Sequence, residues 1–159
     1  MKTTDLYDAY EDELTLAEVG HFKRYGMKQE FGGEIVTVSC FQDNTKAKKL
    51  LETPADGRIL VIDGKASDER ASMGDKVAAI AVSNGWAGVL INGYIRDSVD
   101  IDKLEIGVVA LGATPRRPLK NNDGVLGEDL HFAGVTFKTS EYIYADEDGI
   151  VLSAKPLAL

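Results

Sequence analysis

Arg58-Ile59-Leu60-Val61-Ile62, Gly74-Asp75-Lys76-Val77-Ala78-Ala79-Ile80-Ala81-Val82-Ser83-Asn84-Gly85 and Trp86-Ala87-Gly88-Val89-Leu90-Ile91 are the three pieces on which the fold turns. The first and last are short, unbroken apolar runs, the pattern of strands buried on both faces. The middle piece reads as a helix from Asp75 to Asn84, opened by Gly74 and stopped by Gly85. It is apolar nearly all round and is expected to be well buried. Strand, helix and strand at this spacing form a βαβ unit with parallel strands.

Working outward, Gly107-Val108-Val109-Ala110-Leu111 supplies a third strand of the same sheet. Upstream, Phe31-Gly32-Gly33 reads as a turn before a strand from Glu34 to Ser39. Lys46 to Glu52 reads as a helix with Leu50 and Leu51 inward, broken by Pro54, Asp56 and Gly57. Thr3 or Thr4 is placed to cap a short helix through Asp5–Tyr10. Downstream, Ala113 to Gly127 holds Pro115 and Pro118 and reads as a loop. Gly134–Phe137, Tyr142–Ala145 and Gly149–Leu152 then read as antiparallel strands, with Asp146-Glu147-Asp148 as a turn. The expectation is one mixed α/β domain over residues 1–159, with a parallel βαβ heart and added antiparallel strands.

Charge narrows the function classes. Acidic residues number 26 against 18 basic, a net −8. A nucleic-acid binder needs a basic face for counterion release, so a direct nucleic-acid partner is not expected. An anionic substrate would need a local positive site. Cys40 is the single cysteine, so no intrachain disulfide forms. It sits on an alternating strand pattern and reads as a structural thiol. The opening residues lack a signal-peptide core, and no apolar run reaches the ~20 residues of a membrane helix. A cytoplasmic location is the default.

Two clusters carry chemistry. Gly74-Asp75-Lys76-Val77 opens the βαβ helix, where uncovered amides and the helix dipole suit a carboxylate. A turn glycine followed by a helix-start acid accounts for the same residues. The second cluster, Asn92-Gly93-Tyr94-Ile95-Arg96-Asp97-Ser98-Val99-Asp100, follows the strand ending near Ile91. Ligands gather beyond the carboxyl ends of parallel strands. There Arg96 offers a planar fork to a carboxylate or enolate, and Asp97 offers hard oxygen to a divalent cation. A solvated loop is the alternative. Asp100 either supports Arg96 or caps the next turn. Arg116, Arg117 and Lys120 read as a solvated basic loop, with a substrate clamp as the other choice. His21 and His131 are too far apart in sequence to suggest a metal site.

Gly74-Asp75 followed by Arg96-Asp97 and Asp100 resembles the signature of the 4-hydroxy-4-methyl-2-oxoglutarate / 4-carboxy-4-hydroxy-2-oxoadipate aldolases. These class II pyruvate aldolases share a superfamily with the regulator of ribonuclease E activity A (RraA). Thr4–Asp8, Phe31–Val38, Phe132–Thr136 and Tyr144–Val151 resemble the family's opening, first strand and closing strands. The length is similar to the compact members. The resemblance implies a swivelling β/β/α fold and a homotrimer or dimer of trimers with sites between subunits. It implies that Asp97 ligates Mg²⁺ or Mn²⁺ and that Arg96 holds substrate and stabilises the enolate. Asp75 would orient a metal-bound water as proton donor, and the backbone of Gly74, Asp75, Lys76 and Val77 would cradle the pyruvyl carboxylate. The implied activity is aldol cleavage of a 2-oxo acid with oxaloacetate decarboxylation through the same pyruvate enolate. The alternative is an RraA-type inhibitor that binds ribonuclease E. The archetypal regulator lacks the acid after the arginine, and this chain keeps Asp97, which favours the enzyme branch. A menaquinone methyltransferase label carried by some members is not supported, because Phe31-Gly32-Gly33 precedes a strand rather than following one.

Overall fold

A computed structural model describes residues 1–158. The chain opens with α1 (Thr3–Tyr10) and two short strands, β1 (Leu14–Leu16) and β2 (Lys23–Tyr25). β3 (Phe31–Ser39) leads to α2 (Thr45–Leu51) and then to β4 (Ile59–Asp63). A short β5 (Ala71–Met73) runs through Gly74 into α3 (Asp75–Ser83). β6 (Gly88–Ile95) runs into one turn of helix, α4 (Ser98–Ile101), and β7 (Gly107–Ala113) follows. The remainder is β8 (Val125–Leu126), the pair β9 (Leu130–Phe132) and β10 (Val135–Phe137), and the hairpin of β11 (Tyr142–Asp146) and β12 (Gly149–Ser153).

β3, β4, β6 and β7 lie side by side and parallel. β11, β12 and β1 extend the β3 edge in antiparallel sense, and β2 pairs antiparallel with β7. This is the mixed α/β architecture expected. Alternation along β4 shows why the sheet needs cover on both faces. Leu60 and Ile62 pack on the side of α2, α3 and α4 with Met73, Ala78 and Trp86. Ile59 and Val61 pack on the other with Leu130, Phe137 and Ile150. Each buried aliphatic side chain contributes about 1.5–3 kcal/mol.

Several local expectations need correction. Gly32 and Gly33 are not a turn; they lie inside β3, paired with Tyr144 and Ile143. A Cβ on Gly33 would sit 2.3 Å from the Gly57 carbonyl oxygen, and one on Gly32 would sit 2.7 Å from the Tyr144 ring. These glycines answer close packing rather than a reversal of the chain. α3 is buried on one side only, through Ala78 and Ala81, while Lys76, Ala79 and Ser83 face out. Small alanines made its outer face look apolar. β5 carries no strand pattern long enough to read. Neither threonine caps α1: the N-cap is Lys2, and Thr3 is buried.

Thr3 instead closes the domain. Its amide and hydroxyl both donate to the Asp146 carboxylate at 2.7 Å. The Asp148 amide donates to the same group at 2.9 Å, which makes the β11–β12 turn. Burial pushes the Asp146 carboxyl up, but hydrogen bonds from Thr3, Asp148 and Gly149 outweigh it and hold the group below the usual carboxylate range. A depressed folded value gives stability that is present above the ordinary carboxylate pKa of about 3.9 and is lost as pH falls through the folded value. Asp146→Ala should therefore cost about 2–4 kcal/mol at neutral pH in urea unfolding, since it orphans buried donors. The gap between variant and native protein should close as the solution is acidified below about pH 4.

Candidate functional site

Five connections leave the C-terminal ends of the parallel strands β3, β4, β5, β6 and β7, and residues from each line a cavity of about 790 Å³. That volume suits a small ligand. Gly74, Asp75, Lys76 and Val77 come from the β5–α3 turn, and Arg96 and Asp97 from the end of β6. All six site residues expected from the sequence line it. Asn92 to Ile95, read as loop, are the last residues of β6, so the strand delivers Arg96 directly to the cavity.

The two turns touch. Arg96 donates its amide to the Met73 carbonyl at 2.9 Å. Asp97 Oδ2 accepts the Asp75 amide at 3.2 Å. Gly74 has no side chain with which to cap α3, and Asp97 takes that place from another turn. A Cβ on Gly74 would lie 2.8 Å from Asp97 Oδ2 and 3.1 Å from Arg96 Cγ. Gly74 itself has φ −115°, which any residue adopts. Its requirement is space, not backbone freedom.

Asp97 has φ 58° and ψ 43°, the left-handed region that Asp and Asn tolerate better than other side chains. The conformation is fixed by the Asp97 carbonyl, which accepts the Ile101 amide at 2.9 Å. Strain of this kind concentrates at functional sites. Arg96 Nε stands 3.8 Å from Asp97 Oδ2, with both side chains about one-third exposed. A pair so exposed adds little stability, so its placement is better explained by what it presents.

The first helical bond of α3 runs from the Ala78 amide to the Gly74 carbonyl, 3.0 Å. The Lys76 and Val77 amides precede it and remain for an anion. The Asp75 amide, expected in that cradle, is instead taken by Asp97.

The outer wall is the segment read as a solvated loop. Arg117 and Lys120 line the cavity, whereas Arg116 does not. The segment is fastened along its length. The Ala71 amide donates to the Arg116 carbonyl at 2.9 Å, and the Leu119 amide to the Gln42 carbonyl at 2.7 Å. Arg70 Nη1 donates to the Arg117 carbonyl at 3.0 Å. The Asn121 amide donates to the buried Asp43 carboxylate. Burial pushes that carboxyl up, but amides of Thr45, Asn121 and Asp123 outweigh it and hold it below its ordinary value.

Arg70 and Asn44 were missed from the sequence, and both line the cavity. Asn44 follows the C-terminal end of β3, where the strand-end rule applied to β6 would also have pointed. Asp100 does not serve Arg96: it lies in α4, and its carboxylate is 3.9 Å from Lys103. Cys40 is buried, and burial followed by Asp43, Asp123 and Asp63 pushes its thiol up to about 12, so it stays protonated. His131 is exposed in β9 with Nδ1 3.0 Å from Thr136 Oγ1, and His21 is exposed as well. Among the described residues no three His, Cys, Asp or Glu side chains cluster as metal ligands. A lone carboxylate still fits Mg²⁺, which keeps several waters and takes one or two carboxylates plus substrate oxygens. No described helix is long and apolar enough to cross a membrane.

Comparison with known proteins places the chain in a family. The RraA-like family, Aldolase/RraA, matches residues 3–152. A relative from Hahella chejuensis, named "Putative 4-hydroxy-4-methyl-2-oxoglutarate aldolase", is 43% identical over 157 residues, covering 99% of this chain and 95% of its own. A crystal structure from Geobacillus kaustophilus superposes with a TM-score of 0.96 at 44% identity, covering 99% of this chain and 97% of that one. It is named an S-adenosylmethionine: 2-dimethylmenaquinone methyltransferase. The structure of the RNA-processing inhibitor RraA from Thermus thermophilis superposes with a TM-score of 0.95 at 35% identity, covering 99% and 95%. The chain belongs to the Aldolase/RraA family.

The passage of Gly74 beside Asp97 gives a direct test. Gly74→Ala should cost about 0.5–2 kcal/mol in urea unfolding, the loss of the helix cap that Asp97 supplies. It should displace Asp97 and break its bond to the Asp75 amide, read as faster hydrogen exchange at that amide than in the native protein.

Proposed function

We propose that this chain is a divalent-metal-dependent carbon–carbon lyase. It would cleave 4-hydroxy-4-methyl-2-oxoglutarate to pyruvate and decarboxylate oxaloacetate through the same pyruvate enolate. One observation carries the reading: the Arg96 guanidinium, the Asp97 carboxylate and the open amides at the start of α3 share one cavity. The naming of relatives above 40% identity as aldolases supports it. The same reading carries a homotrimer or dimer of trimers.

Asp97 would hold Mg²⁺ or Mn²⁺, and a cation bound there supplies Lewis acidity toward the 2-oxo group and its carboxylate. The Lys76 and Val77 amides fix that carboxylate and so orient the C3–C4 bond. Breaking the bond leaves its electron pair on the pyruvyl half, and the hydroxyl carbon becomes a carbonyl as its proton passes to solvent water held beside Asp75. Negative charge then grows on the enolate oxygen, where Arg96 places a fixed positive charge. Asp75, in the cavity wall, would orient the water that returns a proton to the enolate carbon. No lysine Schiff base is needed.

The methyltransferase name of the Geobacillus relative finds no matching feature here. Gly32 and Gly33 are packed inside β3 and form no cofactor loop. Inhibition of ribonuclease E is the second reading, favoured by the 35% identity to an RNA-processing inhibitor. A pull-down with ribonuclease E at micromolar concentration decides it, and retention on the resin would support the regulator.

For the lyase, pyruvate release is followed with lactate dehydrogenase. EDTA should abolish turnover, and Asp97→Ala should do the same without unfolding the protein. Arg96→Ala should lower kcat by about 10²–10³, the loss expected for one fixed electrostatic contact. Full activity in Asp97→Ala would remove the metal assignment.

A further inference from the structure

Strained backbone gathers in the connections at the C-terminal ends of the strands. Five of the eight described non-glycine residues with positive φ, Gln42, Lys65, Ala66, Asp97 and Asn122, lie there. Strain of this kind persists only where the surroundings over-determine it, and it clusters at functional sites. Asp97 belongs to the site already described. Gln42, with φ 57°, is the unexpected member, because glutamine lacks the short polar side chain with which Asp and Asn ease the left-handed region.

Resting on the lyase reading, we propose that Gln42 is a positioning residue: it sets where the outer wall of the cavity stands, and so how tightly substrate is held, without touching substrate itself. Its two ends reach two other connections. The Gln42 carbonyl accepts the Leu119 amide at 2.7 Å. Its side-chain amide donates to Ser67 Oγ at 2.9 Å and to Glu69 Oε2 at 3.0 Å. Next along that connection, Arg70 donates to the Arg117 carbonyl at 3.0 Å. Gln42, residues 67–70 and residues 117–119 therefore form a closed ring of bonds over three connections. Arg117, Pro118, Leu119 and Lys120 line the cavity, whereas Gln42 does not.

Fold stability is a poor account of this ring. The bond from Gln42 to Glu69 is exposed, where water competes for both groups and the net gain is small. Glycine at position 42 would hold the left-handed backbone at no steric cost. Asparagine would suit that backbone better than glutamine but is one methylene shorter. The long amide sits at a strained position for its reach. What the ring supplies is geometry. A wall fixed before the ligand arrives spends less entropy on binding it, whereas unlinked connections must be ordered at that moment.

The test exchanges the two partners. Gln42→Glu sets two carboxylates against each other. Gln42→Gly removes the side chain and relieves the backbone. Gln42→Glu combined with Glu69→Gln restores the pairing with donor and acceptor reversed. In oxaloacetate decarboxylation with Mg²⁺, each single variant should raise KM about tenfold with kcat unchanged, the mark of lost uniform binding, and the double variant should return KM toward the native value. Hydrogen exchange over residues 116–122 should quicken in the single variants and recover in the double. A native KM in both single variants, a fall in kcat with KM unchanged, or a double variant no better than Gln42→Glu overturns the assignment. Native protein without turnover sinks the lyase reading alone, and exchange then decides the wall: recovery in the double variant keeps Gln42 as its positioning residue, while native rates in both single variants, or no recovery, remove it.

Discussion

Two turns passing within contact distance hold the cavity together. Gly74 and Asp97 are far apart in the chain, yet no methyl group fits between them. The contact does three things at once. It caps α3 with a carboxylate from another strand's end. It seats the Asp97 side chain beside Gly74, on the left-handed backbone that the Ile101 amide holds. It also draws Arg96 toward the open amides of Lys76 and Val77. Loosening the contact would unmake the cap, the seating of the Asp97 side chain and the charge placement together.

The fold makes this contact available. Parallel strands need crossovers, so each strand end releases a turn on the same edge of the sheet. β3, β4, β6 and β7 all end there, and the cavity collects residues from several of those turns. The antiparallel flank does different work. β11 and β12 cover the β3 edge, and the Thr3–Asp146 clamp ties the first helix to their turn. Stability and chemistry thus sit at separate places in the sheet, and a polar clamp far from the cavity is free to be satisfied fully.

Much of this was legible in the residues. The unbroken apolar runs at Ile59–Ile62 and Val89–Ile91 specify parallel strands, because only strands covered on both faces can be apolar at every position. The meeting of Gly74 with Arg96 and Asp97 follows from the strand-end rule. Other features were hidden for physical reasons. Gly32 and Gly33 look like a turn because glycine serves reversal and close packing alike, and sequence does not separate the two. Ala79 looked buried because alanine costs little at a helix surface. The basic segment looked solvated because its anchors, Asp43 and Gln42, lie more than seventy residues upstream. Arg70 and Asn44 carry no local pattern, and their significance is purely spatial.

The distribution of charge has a consequence at long range. At a net charge of −8 the protein as a whole repels small anions, and the cations lining the cavity oppose that repulsion locally. Clustered like charges in a cleft focus the field, so a diffusing anion would be guided to that opening rather than held at random on the exterior. Such guidance decays over a Debye length of about 8 Å at physiological ionic strength, so capture would slow in concentrated salt even if the chemical step did not.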